Sequence, residues 1–448
     1  MVKRRTCQIV GTCVKRHILT VKLIIHRGAD QIGGSCVELA TERTRLIIDA
    51  GLPLDDLKDP PQQRPKLRPG QPIPDGLAPK VPGLFGPGPK VDAILLSHAH
   101  ADHSGLLAHT RPEIPIYLSE GTSKMLMAAG IFAGQGRIPC AREKKLEHRK
   151  PVRIGDFTVT GFPVDHSTFD CLALMIEADG KRVLYSGDMR MHGRKPGMTA
   201  ALIEALRDRP VDVLLMEGTH IGGDRERGPT EYQLEEEILG HLKTAPGLVF
   251  ASFSPLHVDR LVSFYKAARK AGRTLVVDVY GAFVMHLVAG QAHIPKPQRE
   301  NGIRVYYHQG WLKRRRPIAK IHNRFLADRI ELNEVLAAPK QHVMMFRSSM
   351  ARLDFAGVLP PARCLYSFWH GYLAQPEWQA VQTQLKAAGG ELIECHTSGH
   401  IFQEDIAAFV KAINPKQVIP IHTNSPEMFR LHINNLLLLR DGIAFDLA

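Results

Sequence analysis

Six consecutive residues, His98-Ala99-His100-Ala101-Asp102-His103, place three imidazoles and a carboxylate directly after the apolar run from Val91 to Ser97. Neutral imidazole nitrogen and carboxylate oxygen are good ligands for zinc and its neighbours in the first transition row. In an extended backbone His98 and His100 share one side. Asp102 and His103 lie just beyond, which suits a second ion better than the first. A solvated, His-rich loop is the bland alternative, but such loops seldom follow a buried strand.

The same arrangement recurs along the chain, with an apolar strand ending in a potential ligand. Leu46-Ile47-Ile48 ends at Asp49, and the strand closing at Val164 delivers Asp165-His166. Val183-Leu184-Tyr185 leads to Asp188, Val213 to Met216 delivers Glu217, and Val418 to Ile421 delivers His422. Sheet edges bring such residues side by side although they are distant in sequence. Any one of them alone is more simply a helix cap or a satisfied core residue; their coincidence argues for a site. His98, His100 and His166 form a plausible donor set for one ion, and Asp102, His103 and His422 for another. Asp188, with two oxygens, is the natural bridge. A water held between paired ions becomes hydroxide at neutral pH and attacks phosphoryl or acyl centres.

The elements that must position these donors read as mixed α/β. Strands are expected at Leu19–His26, Cys36–Leu39 and Arg45–Asp49, and helices at Gly105–His109 and Gly121–Phe132. Further strands follow through Val152–Val164, Leu172–Glu177, Arg182–Tyr185 and Val211–Leu215. Residues 52–90 are dense in proline and glycine and read as a long irregular loop. From Thr230 a β-α-β texture begins, with helices at Glu231–Leu242 and Asp259–Ala271 and strands at Gly247–Phe253 and Thr274–Val279. The last part reads as strand, helix, strand, helix.

The chain has 448 residues, 44% hydrophobic and 23% charged, as in ordinary water-soluble globular proteins. No apolar run is long enough for a membrane span. Lys15-Arg16 interrupts the N-terminal apolar stretch, so no signal peptide is expected, and the chain reads as cytoplasmic with no membrane partner. Seven scattered cysteines without a C-x-x-C pair argue against a disulfide framework and a zinc ribbon. The net charge is +13. Residues 1–29 hold seven Lys or Arg and no acid, and Lys313 to Arg324 holds six. Such an excess favours a polyanion, or is simply a basic surface.

The motif from His98 to His103, with Asp49 before it and His166, Asp188 and His422 after it, resembles the metallo-β-lactamase fold. The arrangement is closest to its β-CASP nuclease branch, ribonuclease J-like. Met216-Glu217-Gly218-Thr219-His220 resembles the acidic motif that precedes the inserted cap. His396-Thr397-Ser398-Gly399-His400 and Pro420-Ile421-His422-Thr423 resemble the motifs that follow it. The resemblance implies an αββα sandwich with an inserted α/β cap. It divides the chain into a basic extension (1–20), a first lactamase part (21–222), the cap (223–388) and a second lactamase part (389–448).

By that resemblance the activity is two-metal hydrolysis of phosphodiesters, in RNA rather than DNA, by endo- or 5′-3′ exonucleolytic cutting. The cofactors are two divalent ions, zinc or manganese. Asp102, Glu217 and His400 are the catalytic candidates, with His400, held by Glu217, protonating the leaving oxygen. Asp49 orders the His motif from behind. His396, Ser398, Ser254, Arg260 and Arg347 are candidates for phosphate contact. Trp311, Tyr306 and Tyr307 either stack on bases or belong to the cap core. A lactamase-fold hydrolase of a small ester, lactone or phosphodiester is the competing reading. Monomer and homodimer both stay open.

Overall fold

A computed structural model describes residues 21–54, 67, 71–223, 227–313 and 318–447. The extension 1–20, part of the Pro-rich loop and Arg314-Arg315-Arg316 of the basic run lie outside the described residues. Three sheets organise the chain. The first runs, in spatial order, Ala444–Leu447, Val21–Arg27, Cys36–Ala40, Arg45–Ile48, Ala93–Leu95, Ile116–Leu118 and Glu143–Lys145. The second runs Gln417–Ile421, Val213–Glu217, Lys181–Tyr185, Cys171–Ala178, Phe157–Val164 and Pro151–Ile154.

Strand periodicity explains why these two sheets stack. Alternate residues such as Leu23, Ile25, Leu46 and Ile48 meet Leu172, Leu174, Val213, Leu215 and Ile419 in one core between the sheets. The opposite face of the second sheet, with Met175, Leu184, Leu214 and Val418, packs on helices Pro196–Leu206 and Gln403–Ile413 through Leu202, Ile406 and Phe409. The outer face of the first sheet packs Ile94 and Ile116 on Met125 and Ala128 of helix Glu120–Phe132. The result is an αββα sandwich.

The third sheet is wholly parallel, in the order Arg329–Ile330, Ile303–Tyr306, Thr274–Asp278, His342–Met345, Leu248–Ser252, Ala362–Tyr366 and Glu391–Glu394. Parallel strands need helices on both faces, so the central strands are largely apolar, with charged residues at strand ends and on the edge strands. Val249, Ala251 and Val277 face helices Glu231–Thr244 and Val258–Lys270, while Phe250, Val276 and Cys364 face Trp378 and Val381 of helix Pro376–Ala387. This sheet is inserted between the second sheet's strands Val213–Glu217 and Gln417–Ile421, which are neighbours in register. Its last strand, Glu391–Glu394, lies beyond residue 388, where the sequence reading closed the cap.

One expectation changes, and one open alternative is decided. The chain ends in the strand Ala444–Leu447, paired antiparallel with Val21–Arg27, and not in a helix. Leu447 is buried in the inter-sheet core with Phe445 packed against it, an alternation of period two that a helix reading overlooks. Trp311, Tyr306 and Tyr307 are at most 6% exposed. They are core residues and offer no face to a base; Phe132 of the sandwich stacks on Trp311, with ring centroids 5.0 Å apart. No helix among the described residues is long and apolar enough to cross a membrane.

Candidate metal centre

The strand-end residues converge. His98 follows Ala93–Leu95, His166 follows Phe157–Val164, Asp188 follows Lys181–Tyr185, and His422 directly follows Gln417–Ile421. Their donor atoms form two clusters, His98-His100-His166 and Asp102-His103-Asp188-His422, each with all atoms within 4.8 Å of one another, and His400 joins His166 and Asp188 in a third group at the same spacing. Asp188 Oδ2 lies 3.2 Å from His103 Nε2, 3.6 Å from His98 Nε2, and 3.7 Å from the Nε2 atoms of His166 and His422. His422 Nε2 is also 3.7 Å from Asp102 Oδ2.

These atoms test whether a cation fits. His98 Nε2, His103 Nε2, His422 Nε2 and both oxygens of Asp188 are buried without any hydrogen-bond partner. A buried polar atom left unpaired costs roughly 1–3 kcal/mol, so five in one pocket demand a common partner. Burial holds His98 and His166 well below the usual imidazole range, with neighbouring rings adding to the effect, and it lowers His100 to about 4. These rings are therefore neutral, with a lone pair available. Burial also opposes charge on His103, yet Asp188, Asp102 and Asp49 draw its pKa well upward. That carboxylate field attracts positive charge, which a divalent cation supplies in place of a proton. The donor set is that of a divalent metal site.

The ring nitrogens facing away from the pocket are fixed. Asp49 Oδ2 accepts from His103 Nδ1 at 2.7 Å, from Ser97 Oγ at 2.8 Å and from Tyr185 OH at 2.7 Å, while its Oδ1 accepts from Ser97 N. His166 Nδ1 donates to Gly399 O at 2.6 Å, and Ser35 Oγ lies 3.1 Å from His422 Nδ1. Such partners orient metal-binding imidazoles. Asp49 and His422 both adopt left-handed backbone, with φ of 59° and 53°. Strain of this kind persists where surrounding structure imposes it, often at functional sites. Gly51 is a steric requirement: a Cβ there would stand 1.6 Å from Asp102 O.

Beside the cluster, His400 Nδ1 is 3.1 Å from Glu217 Oε2 and 3.7 Å from Asp188 Oδ2. Glu217 is fully buried and also accepts from Met189 N and Thr219 Oγ1. Burial disfavours charge on His400, but Glu217 and Asp188 outweigh it and raise its pKa to about 9. Ser398 Oγ accepts from His400 N and meets His220 Nε2 at 2.7 Å. His396 Nδ1 donates to Ser367 O.

The other phosphate candidates sit differently. Ser254 is half-buried past strand Leu248–Ser252. Arg347 is half-buried, its Nε 2.5 Å from Asp278 Oδ2 and its guanidinium over the Tyr280 ring. Arg260 has no exposed surface. Its Nε pairs with Glu231 at 2.8 Å, its Nη1 meets Ser367 Oγ, and its Nη2 donates to Thr397 O. A guanidinium so enclosed has no access to a substrate phosphate, which corrects the sequence expectation; helix amphipathicity alone could not show that this position faces inward.

Sequence reasoning missed Tyr185, Ser97 and Thr219 as supports, and a buried ion network between sandwich and cap. In that network Arg190 pairs with Asp165 at 3.0 Å, Glu231 at 3.0 Å and Asp259 at 3.3 Å. The position of Asp165 and Arg190 beside the candidate donors His166 and Asp188 was the available signal.

Comparison with known proteins gives the same frame. A beta-lactamase superfamily domain matches residues 44–252, and a Zn-dependent metallo-hydrolase RNA specificity domain matches residues 390–433. Ribonuclease J of Helicobacter pylori (strain B128) is 23% identical over 436 residues, covering 90% of this chain and 56% of that protein. Ribonuclease J of Pyrococcus abyssi is 23% identical over 430 residues, covering 90% of this chain and 89% of that one. The chain thus spans little more than half the length of the Helicobacter relative. The crystal structure of a protein of unknown function from Enterococcus faecalis V583 superposes with a TM-score of 0.73 at 22% identity, over 95% of this chain and all of that one. With its sandwich and inserted parallel sheet, the chain carries a beta-lactamase superfamily domain followed by a Zn-dependent metallo-hydrolase RNA specificity domain, and it is similar over nine-tenths of its length to proteins named ribonuclease J, consistent with the β-CASP branch of that fold.

Proposed function

We propose that the chain hydrolyses phosphodiester bonds in RNA with two divalent ions, zinc or manganese. His98, His100 and His166 would hold one, Asp102, His103 and His422 the other, and Asp188, with two free oxygens, would serve both. The observation that carries this reading is Asp188 Oδ2, within 3.2–3.7 Å of four Nε2 atoms from four histidines while both its oxygens lack a hydrogen bond. Bound there, the ions supply Lewis acidity at the phosphoryl oxygens and lower the pKa of an attacking water.

The chain's own residues do the rest. Asp49 keeps the His103 proton on Nδ1, so Nε2 presents its lone pair. Glu217 engages His400 through Nδ1, which leaves Nε2 to carry a proton to the leaving oxygen. An alkoxide leaves poorly, so this proton matters most late in the reaction. His396, Ser398, Ser254 and the partly exposed Arg347 are assigned to the RNA backbone. The RNA reading is supported by the RNA-specificity match over 390–433, by relatives named ribonuclease J, and by the net charge of +13. The enclosed ion pairs of Arg260 remove it from that set.

The test is incubation of zinc- or manganese-loaded protein with labelled single-stranded RNA bearing a 5′ phosphate or a 5′ hydroxyl, beside the matching DNA. Metal-dependent cleavage of RNA is expected. Intact RNA together with turnover of a small nitrophenyl ester would assign the site to small-molecule hydrolysis instead.

A further inference from the structure

A second donor cluster lies outside the centre, among residues the reaction does not use. Glu237 and His241 stand one turn apart on helix Glu231–Thr244, and Cys395 follows strand Glu391–Glu394. One ligand atom from each lies within 4.8 Å of the others. Cys395 Sγ is 3.4 Å from Glu237 Oε1, and His241 Nε2 is 3.9 Å from the same oxygen. Cys395 is fully buried, while His241 is half-buried and Glu237 opens to solvent. The cluster therefore has a thiol at its floor and an entry path at its rim.

We propose that Glu237, His241 and Cys395 form a separate binding site for one zinc-class divalent cation. Spacing of i and i+4 puts Glu237 and His241 on one helical face, the usual way a helix offers two donors. Sulfur, nitrogen and carboxylate oxygen together suit zinc or cobalt far better than magnesium or calcium. Three protein donors leave a fourth position for water. Binding exchanges the Cys395 S–H bond for a sulfur–metal bond and releases one proton to solvent. The neighbouring cations Arg260 and Arg363 already pair elsewhere, with Glu231 at 2.8 Å and with Glu391 at 2.6 Å. An ion here ties the first helix of the inserted unit to the end of its last strand, one residue before His396.

The two metal sites differ in one readable respect: the main centre contains no sulfur donor. Protein already carrying its main-centre ions is titrated with Co2+, and absorption is followed in the near ultraviolet. Thiolate-to-cobalt charge transfer is expected to grow and saturate at one equivalent. Cys395→Ser should abolish it. His241→Ala should weaken Co2+ binding by at least about tenfold, the scale of losing a metal-site partner, and Glu237→Gln should weaken it in the same direction. His241 and Glu237 lie on the accessible side, so these variants decide the matter even if the buried Cys395→Ser folds poorly. No charge-transfer band in the wild type, a band that survives Cys395→Ser, or a Co2+ affinity untouched in both helix variants would overturn the proposal.

Discussion

Two buried polar regions sit side by side in this molecule and solve the problem of buried charge in opposite ways. At the junction of sandwich and cap, Arg190, Lys195 and Arg260 face Asp165, Glu231 and Asp259, and each cation is paired inside the protein. In the metal pocket, by contrast, four carboxylate and imidazole residues point unpaired atoms at a common space. Breaking a closed network strands a charge and costs stability. An open pocket is stabilised by what enters it, through the linkage between binding and folding. The difference separates residues that pair with one another across sandwich and cap from residues whose donor atoms have no partner, although nearly all of both sets are hidden from solvent.

The sharpest way to break this comparison is Asp188→Ala. One carboxylate serves both proposed ions, so RNA hydrolysis should fall by about 1,000-fold or more, at least ~4 kcal/mol of transition-state stabilisation. Metal content by elemental analysis should fall with it. His400→Ala should also lower turnover, by roughly 10²–10⁴-fold for a lost general acid, while metal content stays near wild type. If His400→Ala empties the centre, His400 is a ligand and its assignment as the acid fails.

Arg190→Met tests the closed region. Removing it leaves Asp165, Glu231 and Asp259 short of a partner, and a loss of about 3–5 kcal/mol in unfolding free energy is expected. The acid limb of stability should move too. Burial alone would raise the Glu231 carboxyl, but Arg260 and Arg190 hold it well below the usual range. Its contribution is therefore present above the ordinary glutamate pKa and is lost as pH falls toward the lower folded value. With Arg190 gone the folded value rises, so thermal melts at stepped pH should show less of this pH-dependent loss below about 4.5. A variant as stable as wild type at neutral pH would show the network to be dispensable.

How much of this was legible in the sequence follows from the same contrast. The pocket announces itself because its donors cluster where apolar strands end, and five such endings besides the one before His98 leave little room for coincidence. The sandwich is equally readable where alternation is strict, as from Leu172 to Ile176. The network is far less readable: apart from Asp165 and Arg190, which adjoin His166 and Asp188, its members look like ordinary surface charges. Glu231 opens an amphipathic helix and Arg260 lies within another, and only the packing of cap on sandwich buries them. For the same reason Arg260 reads as a phosphate contact and proves to be enclosed. Trp311 was ambiguous from sequence because aromatic residues serve both cores and bases; its burial depends on contacts with Phe132, far away in the chain.

The smallest expected effect is the most discriminating. Tyr185 OH donates to Asp49 Oδ2, which keeps two further donors, Ser97 Oγ and His103 Nδ1. Tyr185→Phe removes the hydroxyl and preserves the buried ring, so packing in the inter-sheet core is retained. An open pocket built around a carboxylate with several donors should tolerate this trimming. Chelator competition is expected to show metal affinity reduced only about two- to threefold, against roughly 10–100-fold for Asp49→Ala. The ordering follows from counting: Asp49 with three of its four hydrogen bonds still fixes the His103 tautomer, whereas without its carboxylate nothing in contact with His103 Nδ1 does so. Equal losses in the two variants would mean that Tyr185 holds Asp49 in its left-handed backbone conformation rather than merely adding a bond, and the pocket would then be as intolerant of a missing partner as the closed network beside it.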